Sequence, residues 1–164
     1  MEPGEIDPVI LRSIFDYKDG ELFWKQNRGY QPCAGNKAGR NTPYGYISVE
    51  LNGRPYQAHR LVWAYHFGAT DKLIDHIDGD RSNNRIENLR LCDRFENAHN
   101  RKKCRRNTTG VKGVRLRSDS GRFEARITMR GKRMVLGSYD DLELAELVVC
   151  MAREKYHGAF ANHG

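Results

Sequence analysis

The sequence has only four cysteines, and no two of them are closely spaced. A zinc site needs Cys or His ligands in close pairs, so none is predicted. We interpret the cysteines as reduced thiols, which is typical of a cytosolic protein. No stretch approaches the roughly 18 apolar residues of a membrane span, and no apolar run follows the acidic N-terminal segment as in a signal peptide. We therefore expect a soluble protein in the cytoplasm.

Positive charge is concentrated in one part of the chain. Residues 101–133 contain thirteen Lys or Arg against two acidic residues, whereas the rest contains fifteen against nineteen, for a formal net charge of +7 overall. A basic block beside a nearly neutral body indicates a polyanionic partner. A solvated basic linker is the alternative reading of the block.

Hydrophobic periodicity and turn residues predict short mixed elements in the first half of the chain. Asn52-Gly53 between two alternating runs is typical of a hairpin, and Gly68 should end the helix before it. The predicted elements are a helix at 9–15, a strand at 22–24, a loop at 31–43, strands at 46–51 and 54–57, and a helix at 59–67.

The second half predicts two small groups of elements. Asp93 with Glu96 three residues later forms a capping box, so a helix should start there and run to about Lys103, with Phe95 and Ala98 in the core. Residues 107–110 suit a hinge-like break. The other predicted elements are strands at 73–77, 89–92, 112–117, 122–129 and 133–137, and a final helix capped by Asp140 with Glu143, whose apolar stripe is Ala145, Val148, Val149, Ala152 and Tyr156.

The segment DHIDGDRSNNRIENLR, residues 75–90, and the later Asn97 carry the chemistry. The oxygens of Asp75 and Asn97 suit a hard cation such as Mg²⁺, which takes further ligands from water and a substrate phosphate. The imidazole of His76 can remove a proton from water near neutral pH. This combination favours metal-assisted phosphodiester hydrolysis. Taken alone, Asp78–Asp80 and Asn83-Asn84 have the composition of ordinary turns.

From Gly45 to Lys103 the chain resembles the HNH endonucleases, in particular the homing-type group of phages and introns. The resemblance implies a ββα-metal fold with one divalent ion, Mg²⁺ or Mn²⁺. It implies that Asp75 and Asn97 are metal ligands, that His76 is the general base, and that Asn88 braces the loop that orients His76. The third motif position is Asn97 rather than histidine, which does not favour zinc. His59 and Arg60 fit the same family as residues that touch DNA or support the site.

The basic C-terminal region predicts a half-buried sheet with a cationic outer face. In the strand at 122–129, alternate residues divide into two sets. Arg115 and Arg117 share one face of the preceding strand. Arginine rows of this kind can contact guanines or phosphates in a major groove. The outward set is Arg122, Glu124, Arg126, Thr128 and Arg130, and the inward set is Phe123, Ala125, Ile127 and Met129.

From Gly110 to Asn162 the chain resembles the APETALA-type (ethylene-response-factor) DNA-binding domain. The resemblance rests on GVKGVRLR, on Leu136-Gly137 and on the Ala-rich helix that ends in a glycine. It implies that Lys112, Arg115 and Arg117 contact DNA. Arg126, Thr128 and Val135 depart from the plant pattern, so the plant target is not carried over. Lys102 and Lys103 are expected to follow phosphates between the modules.

We therefore predict an α+β chain: an N-terminal extension (1–43), a nuclease domain (44–103), a basic linker (104–110), and a three-stranded antiparallel sheet packed on one helix (111–162). The predicted function is a metal-dependent, site-specific DNA nickase that acts as a monomer on double-stranded DNA in a bacterial or phage-infected cell. The alternatives are a DNA-binding regulator with a decayed nuclease fold and an RNA-binding protein. Intact Asp75, His76, Asn88 and Asn97 disfavour the former, and the scarcity of stacking aromatics on the basic face disfavours the latter.

Overall fold

The computed structural model describes residues 7–29, 32–100 and 107–164. The chain divides into two compact units, with the division after Leu91. Each unit combines short helices with small antiparallel sheets, so the predicted α+β class is confirmed. None of the helices in the described ranges is both long and apolar enough to cross a membrane.

The first unit begins with a helix that leads directly into a hairpin. The elements are α1 (Pro8–Ile14), β1 (Phe15–Lys18), β2 (Glu21–Trp24), β3 (Arg40–Asn41), β4 (Ile47–Leu51), β5 (Arg54–Gln57), α2 (Ala58–Phe67), β6 (Leu73–His76), a 3₁₀ turn (Ile86–Asn88) and β7 (Leu89–Cys92). The Asp7 side chain caps α1 by accepting from Val9 N at 2.7 Å. Strand β1, which pairs with β2, was not predicted, because its first residue, Phe15, had been included in the preceding helix.

Two hairpin turns in this unit have the same composition and conformation. Asn52-Gly53 joins β4 to β5 as predicted, and Asp19-Gly20 joins β1 to β2. The residue before each glycine has a φ of 50°, and the glycines have φ values of 74° and 88°. Positive φ at both central positions is the type I′ pattern that suits the twist of antiparallel strands.

One hydrophobic core joins the N-terminal segment to the predicted nuclease domain. Phe15 and Leu22 are buried in the same cluster as Leu61 and Val62 of α2. The segment predicted as an extension is therefore part of the first compact unit, and the limit predicted at residue 43 does not separate two cores. Hairpin burial against α2 is a long-range contact that periodicity does not reveal.

The second unit places one helix against a three-stranded sheet. Its elements are α3 (Arg94–His99), β8 (Val114–Leu116), β9 (Phe123–Met129), β10 (Lys132–Tyr139), α4 (Leu142–His157) and a 3₁₀ turn (Gly158–Phe160). Strand β9 is central, and both of its pairings are antiparallel. Its core contains Val114, Ala125 and Val149. The predicted three-stranded sheet with one helix is confirmed.

Several local predictions for the second unit are wrong. The cap of α4 is Asp141, whose side chain accepts from Glu143 N at 3.0 Å, rather than Asp140. Tyr156 is 42 % exposed, so it does not belong to the stripe that faces the sheet. Phe95 and Ala98 are also exposed instead of core residues. For Tyr156, Phe95 and Ala98 the helix was predicted correctly but the width of its buried face was overestimated.

The segment predicted as a hinge-like break is a tightly bonded turn. Asn107 Nδ2 donates to Val111 O at 2.6 Å, and Asn107 Oδ1 accepts from both Thr109 N and Thr109 Oγ1 at 3.0 Å. Asn and Thr side chains form such bonds to nearby backbone readily. The turn therefore fixes the entry into β8, and the prediction of a break is wrong.

Candidate active site

The hairpin of β6 and β7 carries the two residues from which hydrolysis was predicted. Asp75 and His76 end β6, and both are buried, at 7 % and 4 % exposure. Just beyond the strand, Ile77 N donates to Asn88 O at 2.9 Å. The strand thus ends at His76, where the chain turns into the loop that follows.

Asp75 is held by an arginine on the neighbouring strand. Its Oδ2 accepts from Arg90 Nε at 3.0 Å and from Arg90 Nη2 at 2.8 Å. The Arg90 side chain is itself only 16 % exposed. A two-donor guanidinium partner compensates the burial of a carboxylate and fixes its direction.

His76 is fixed by a hydrogen bond to an asparagine. Its Nε2 lies 3.1 Å from Asn84 Oδ1, and Asn84 is 1 % exposed. Because a carbonyl oxygen only accepts, Nε2–H donates in this arrangement and the ring's lone pair lies on Nδ1. Asn84 is therefore a positioning residue that was predicted only as turn chemistry. Its burial beside His76 has no signal in the local sequence.

A second histidine lies against His76. The ring of His59 is 5.0 Å from that of His76, nearly edge to face, and Tyr46 lies 5.5 Å from His59. Burial, and then the neighbouring His76 and Arg60, lower the pKa of His59 to about 3. His59 is therefore neutral at physiological pH. Its burial contradicts a direct DNA contact and agrees with the alternative prediction that it supports the site.

Arg60 stabilises the loop that follows α2. Its guanidinium donates to Lys72 O at 3.4 Å and makes a shorter hydrogen bond to Thr70 O. These two carbonyls precede β6, so Arg60 helps to place the strand that carries Asp75. Arg60 was predicted either to touch DNA or to support the site. Its contacts in the structure are of the supporting kind.

Asn88 braces the loop between β6 and β7, as the resemblance implied. Asp78 N donates to Asn88 Oδ1 at 3.1 Å, and Asn88 Nδ2 donates to Asp78 Oδ1 at 3.0 Å and to Asn83 O at 2.8 Å. Partial burial opposes ionisation of the Asp78 carboxyl. Hydrogen bonds that it accepts from Asp80 N, Asn83 Nδ2 and Asn88 Nδ2 nevertheless lower its pKa below the usual value. The loop is held by its own polar side chains, while Asn84 makes the hydrogen bond to His76.

Asn97 lies on α3, in the second compact unit. The predicted capping box is confirmed, since the Asp93 side chain accepts from Glu96 N and the Glu96 side chain accepts from Asp93 N. Its role as a metal ligand stays a prediction. No group of three or more His, Cys, Asp or Glu among the described residues could hold a metal.

Two sequence comparisons identify relatives of this chain. Residues 56–99 match the family model of the HNH endonucleases, a range that includes Asp75, His76, Asn88 and Asn97. The chain is also 36 % identical over 105 residues to Protein 3.8 of Escherichia phage T7, which covers 63 % of this chain and 86 % of that protein. The chain belongs to the HNH endonuclease family. The range that matches the family model includes β6, β7 and the loop between them.

A solved structure is also similar to this HNH endonuclease. It is the HNH homing endonuclease I-HmuI, described for its DNA binding and cleavage. The sequence identity is 26 %, and the match covers 57 % of this chain and 55 % of that one, with a TM-score of 0.43. The chain thus spans about half the length of that structure.

The outer face of the C-terminal sheet contains a buried carboxylate beneath arginines. Glu124 Oε1 accepts from Arg115 Nε at 3.0 Å and lies 3.1 Å from Arg126 Nε, and Arg117 Nη1 lies 3.7 Å from Oε2. The Glu124 side chain is 7 % exposed, whereas that of Arg115 is 53 % exposed. The predicted sharing of a face by Arg115, Arg117 and Arg126 agrees with these contacts. Glu124, expected to point into solvent, is instead their common partner.

Other predicted DNA contacts differ in accessibility. Lys112 Nζ donates to Asn162 O at 2.7 Å and His99 O at 3.2 Å, and burial followed by nearby Arg153 lowers its pKa to about 8. Its ammonium is therefore engaged inside the unit. Arg122 is exposed and pairs with Asp140 at 3.0 Å, and Arg130 is exposed in the turn between β9 and β10. Lys102 and Lys103 lie outside the described residues.

Proposed function

We propose that this HNH nuclease is a homing-type endonuclease that hydrolyses a phosphodiester bond of double-stranded DNA, with His76 as general base. The observation that carries the proposal is the buried hydrogen bond between His76 Nε2 and Asn84 Oδ1. With the proton on Nε2, the lone pair of the neutral imidazole is on Nδ1, which we propose as the atom that accepts a proton from the attacking water. As the water oxygen bonds to phosphorus, the phosphorus–O3′ bond breaks, leaving the 5′-phosphate and 3′-hydroxyl ends that the family resemblance implies.

The proposed cofactor is one divalent ion, Mg²⁺ or Mn²⁺. Asp75 and Asn97 are its proposed protein ligands, because both offer oxygen atoms and Asp75 is buried beside the general base. When bound, the ion stabilises negative charge on the phosphate and the leaving oxygen. Arg90 holds the Asp75 carboxylate and so fixes the direction of one ligand.

For the second unit we propose a DNA-binding role of the APETALA type. The support is the exposed arginine face over Glu124, where three guanidiniums share one carboxylate and an excess of positive charge remains. Such a face can contact phosphates and guanine edges. The proposed contacts are Arg115, Arg117, Arg122, Arg126 and Arg130. Lys112 is left out because its ammonium is bonded internally.

We further propose that a monomer cuts one strand. The chain has one Asp75-His76 pair, and the second unit differs in fold from the first, so a monomer would bind DNA asymmetrically. A symmetric dimer would instead place two sites on the two strands. A nicked circle is therefore the expected primary product.

Plasmid cleavage tests these statements together. Supercoiled plasmid that carries a target should become open circles with Mg²⁺ or Mn²⁺, at a rate proportional to protein concentration, and should stay intact in EDTA. Cleavage that persists in EDTA would contradict the metal requirement. Linear product without an open-circle intermediate, or a rate that rises with the square of protein concentration, would contradict the monomer. Tight DNA binding without cleavage under any metal would favour the regulator alternative.

A further inference from the structure

The turn of the β1–β2 hairpin lies directly against the loop that carries Asn84. Gly20 is buried, and a Cβ atom built on it would lie 2.6 Å from Arg85 N and 2.9 Å from Asn84 C. Both distances are shorter than carbon contacts allow, and both partners are backbone atoms that cannot rotate away. The hairpin therefore approaches the 84–85 peptide closely enough that only glycine fits at this position.

The same hairpin makes a hydrogen bond to the next residue of the loop. Ile86 N donates to the hydroxyl of Tyr17 at 3.0 Å. The Tyr17 ring packs edge-on against His66 at 4.7 Å, which holds the hydroxyl in place. Together, Gly20 and Tyr17 contact three consecutive residues of the loop, from Asn84 to Ile86.

Asn84 and Arg85, against which the hairpin turn lies, have no regular secondary structure of their own. Asn84 Nδ2 is buried and has no hydrogen-bond partner among the described residues, so the side chain is oriented through Oδ1 and its bond to His76. A shift of the Asn84–Arg85 peptide would therefore move the atom that holds the imidazole. The contacts are continuous from the hairpin turn to His76.

We propose that the β1–β2 hairpin is a positioning element of the active site, which fixes Asn84–Ile86 through Gly20 and Tyr17 and thereby orients His76. The proposal rests on the proposed function, because it assigns the hairpin a part in cleavage. It gives the N-terminal segment a role in the rate of the chemical step, distinct from a role in holding DNA. Small displacements of a catalytic group are enough to reduce a rate about 100-fold.

The twin turns supply a matched pair of variants. Gly20→Ala and Gly53→Ala introduce the same side chain into the same turn type at similar positive φ. A Cβ on Gly53 meets nothing within 4 Å among the described residues, whereas one on Gly20 meets the loop. The two variants share the backbone cost of alanine at positive φ. They differ in whether the Asn84–Arg85 peptide must move.

Single-turnover cleavage should be measured for both variants over a range of protein concentrations, at a temperature where both are folded. The maximal rate constant and the half-saturating concentration are then compared as kcat and KM. We expect Gly20→Ala to lower kcat roughly 10–100-fold relative to Gly53→Ala, with KM within about twofold of that of Gly53→Ala. Tyr17→Phe, which keeps the ring and removes only the hydroxyl, should lower kcat up to about tenfold. Tyr17→Phe also decides the question if Gly20→Ala fails to fold.

A second readout does not depend on cleavage. The imidazole ¹⁵N resonances of His76, assigned with His76→Gln, report which ring nitrogen carries the proton. They should shift in Gly20→Ala and stay unchanged in Gly53→Ala. Equal kcat values for the two variants, with unchanged His76 resonances, would overturn the proposal. A wild-type protein that cleaves no DNA would overturn the proposed function instead, and the resonances would still decide whether the hairpin positions His76.

Discussion

The region around His76 in the first unit and the sheet face of the second unit differ in how far their charged and titratable side chains are buried. In the first, Asp75, His76 and His59 are 7 %, 4 % and 5 % exposed, and each contacts a neighbouring polar side chain. On the sheet face of the second, the arginines stay accessible and only Glu124 beneath them is buried. Chemistry on one bond requires groups in a fixed orientation, whereas binding a long polyanion requires charges that reach into solvent.

The sharpest test of this comparison is removal of His76, the proposed general base. His76→Ala should lower the cleavage rate about 10²–10⁴-fold, because a general base contributes that much, while DNA affinity stays near the parent value. Plasmid cleavage and a binding titration measure the two effects. His163→Ala, which removes an exposed histidine near the C-terminus, is the matched control and should cleave normally. A His76→Ala protein with the parent rate would show that the buried group is not the base.

Burial of His59 predicts a dependence of stability on pH. Its pKa is about 3 when folded, against an ordinary 6.5, so the unfolded chain binds a proton that the folded chain excludes. Its contribution to stability is complete above pH 6.5 and is lost as the pH falls towards 3. At pH 5 the loss should be about 2 kcal/mol.

Urea unfolding at pH 7 and pH 5 checks this value. The difference between the two pH values should be smaller in His59→Phe than in wild type by that amount. The histidines outside the His59–His76 pair are common to both proteins, so their contributions to the pH dependence cancel in the comparison. Parallel pH dependences in the two proteins would show that His59 is not held neutral by the fold.

The buried carboxylate of the second unit should matter for stability more than an exposed one. Glu124→Ala leaves three guanidiniums without their shared acceptor, and should lower the free energy of unfolding by about 1–3 kcal/mol. Asp119→Ala makes the same charge change beside Arg117, at a side chain that is 60 % exposed, and should cost less. Urea unfolding of the two variants compares them. Equal losses would mean that Glu124 does not organise the face.

The smallest expected effect is on the salt dependence of DNA binding. Arg115→Ala should reduce the slope of log affinity against log salt by about 0.9, if one phosphate contact is lost. Lys155→Ala removes the same charge from α4, which packs against the other side of the sheet, and should leave the slope unchanged. Binding titrations at several salt concentrations measure both. Equal slopes for the two variants would contradict a DNA-binding role for the sheet face.

Local signals in the sequence predicted most of the elements correctly. Asn52-Gly53, Gly68 and the Asp93–Glu96 capping box each specify a conformation through their own backbone or side chain. Strand alternation also predicted β9 and its two faces. The strand predicted at 73–77 is present as β6, which ends one residue earlier, at His76.

Contacts between distant segments were not predictable in the same way. Asn84 has the composition of a turn, and only the packing of the β1–β2 hairpin against it makes it a buried partner of His76. Glu124 alternates with its neighbours as an exposed residue would, yet three arginines from two strands cover it. Both residues acquire their roles from tertiary contacts that no local pattern encodes.

The ion pair between Arg90 and Asp75 has a consequence for folding. A buried carboxylate without a partner would destabilise the unit until a cation arrived, so folding and metal binding would be linked. Arg90 supplies two donors from the adjacent strand, so the carboxylate has a partner before any cation binds. This chain should therefore stay folded in EDTA, and Mg²⁺ should add only the stability that binding to the folded state supplies, unlike a zinc finger, which unfolds when its metal is chelated. A cell could then accumulate the folded nuclease before the ion engages it.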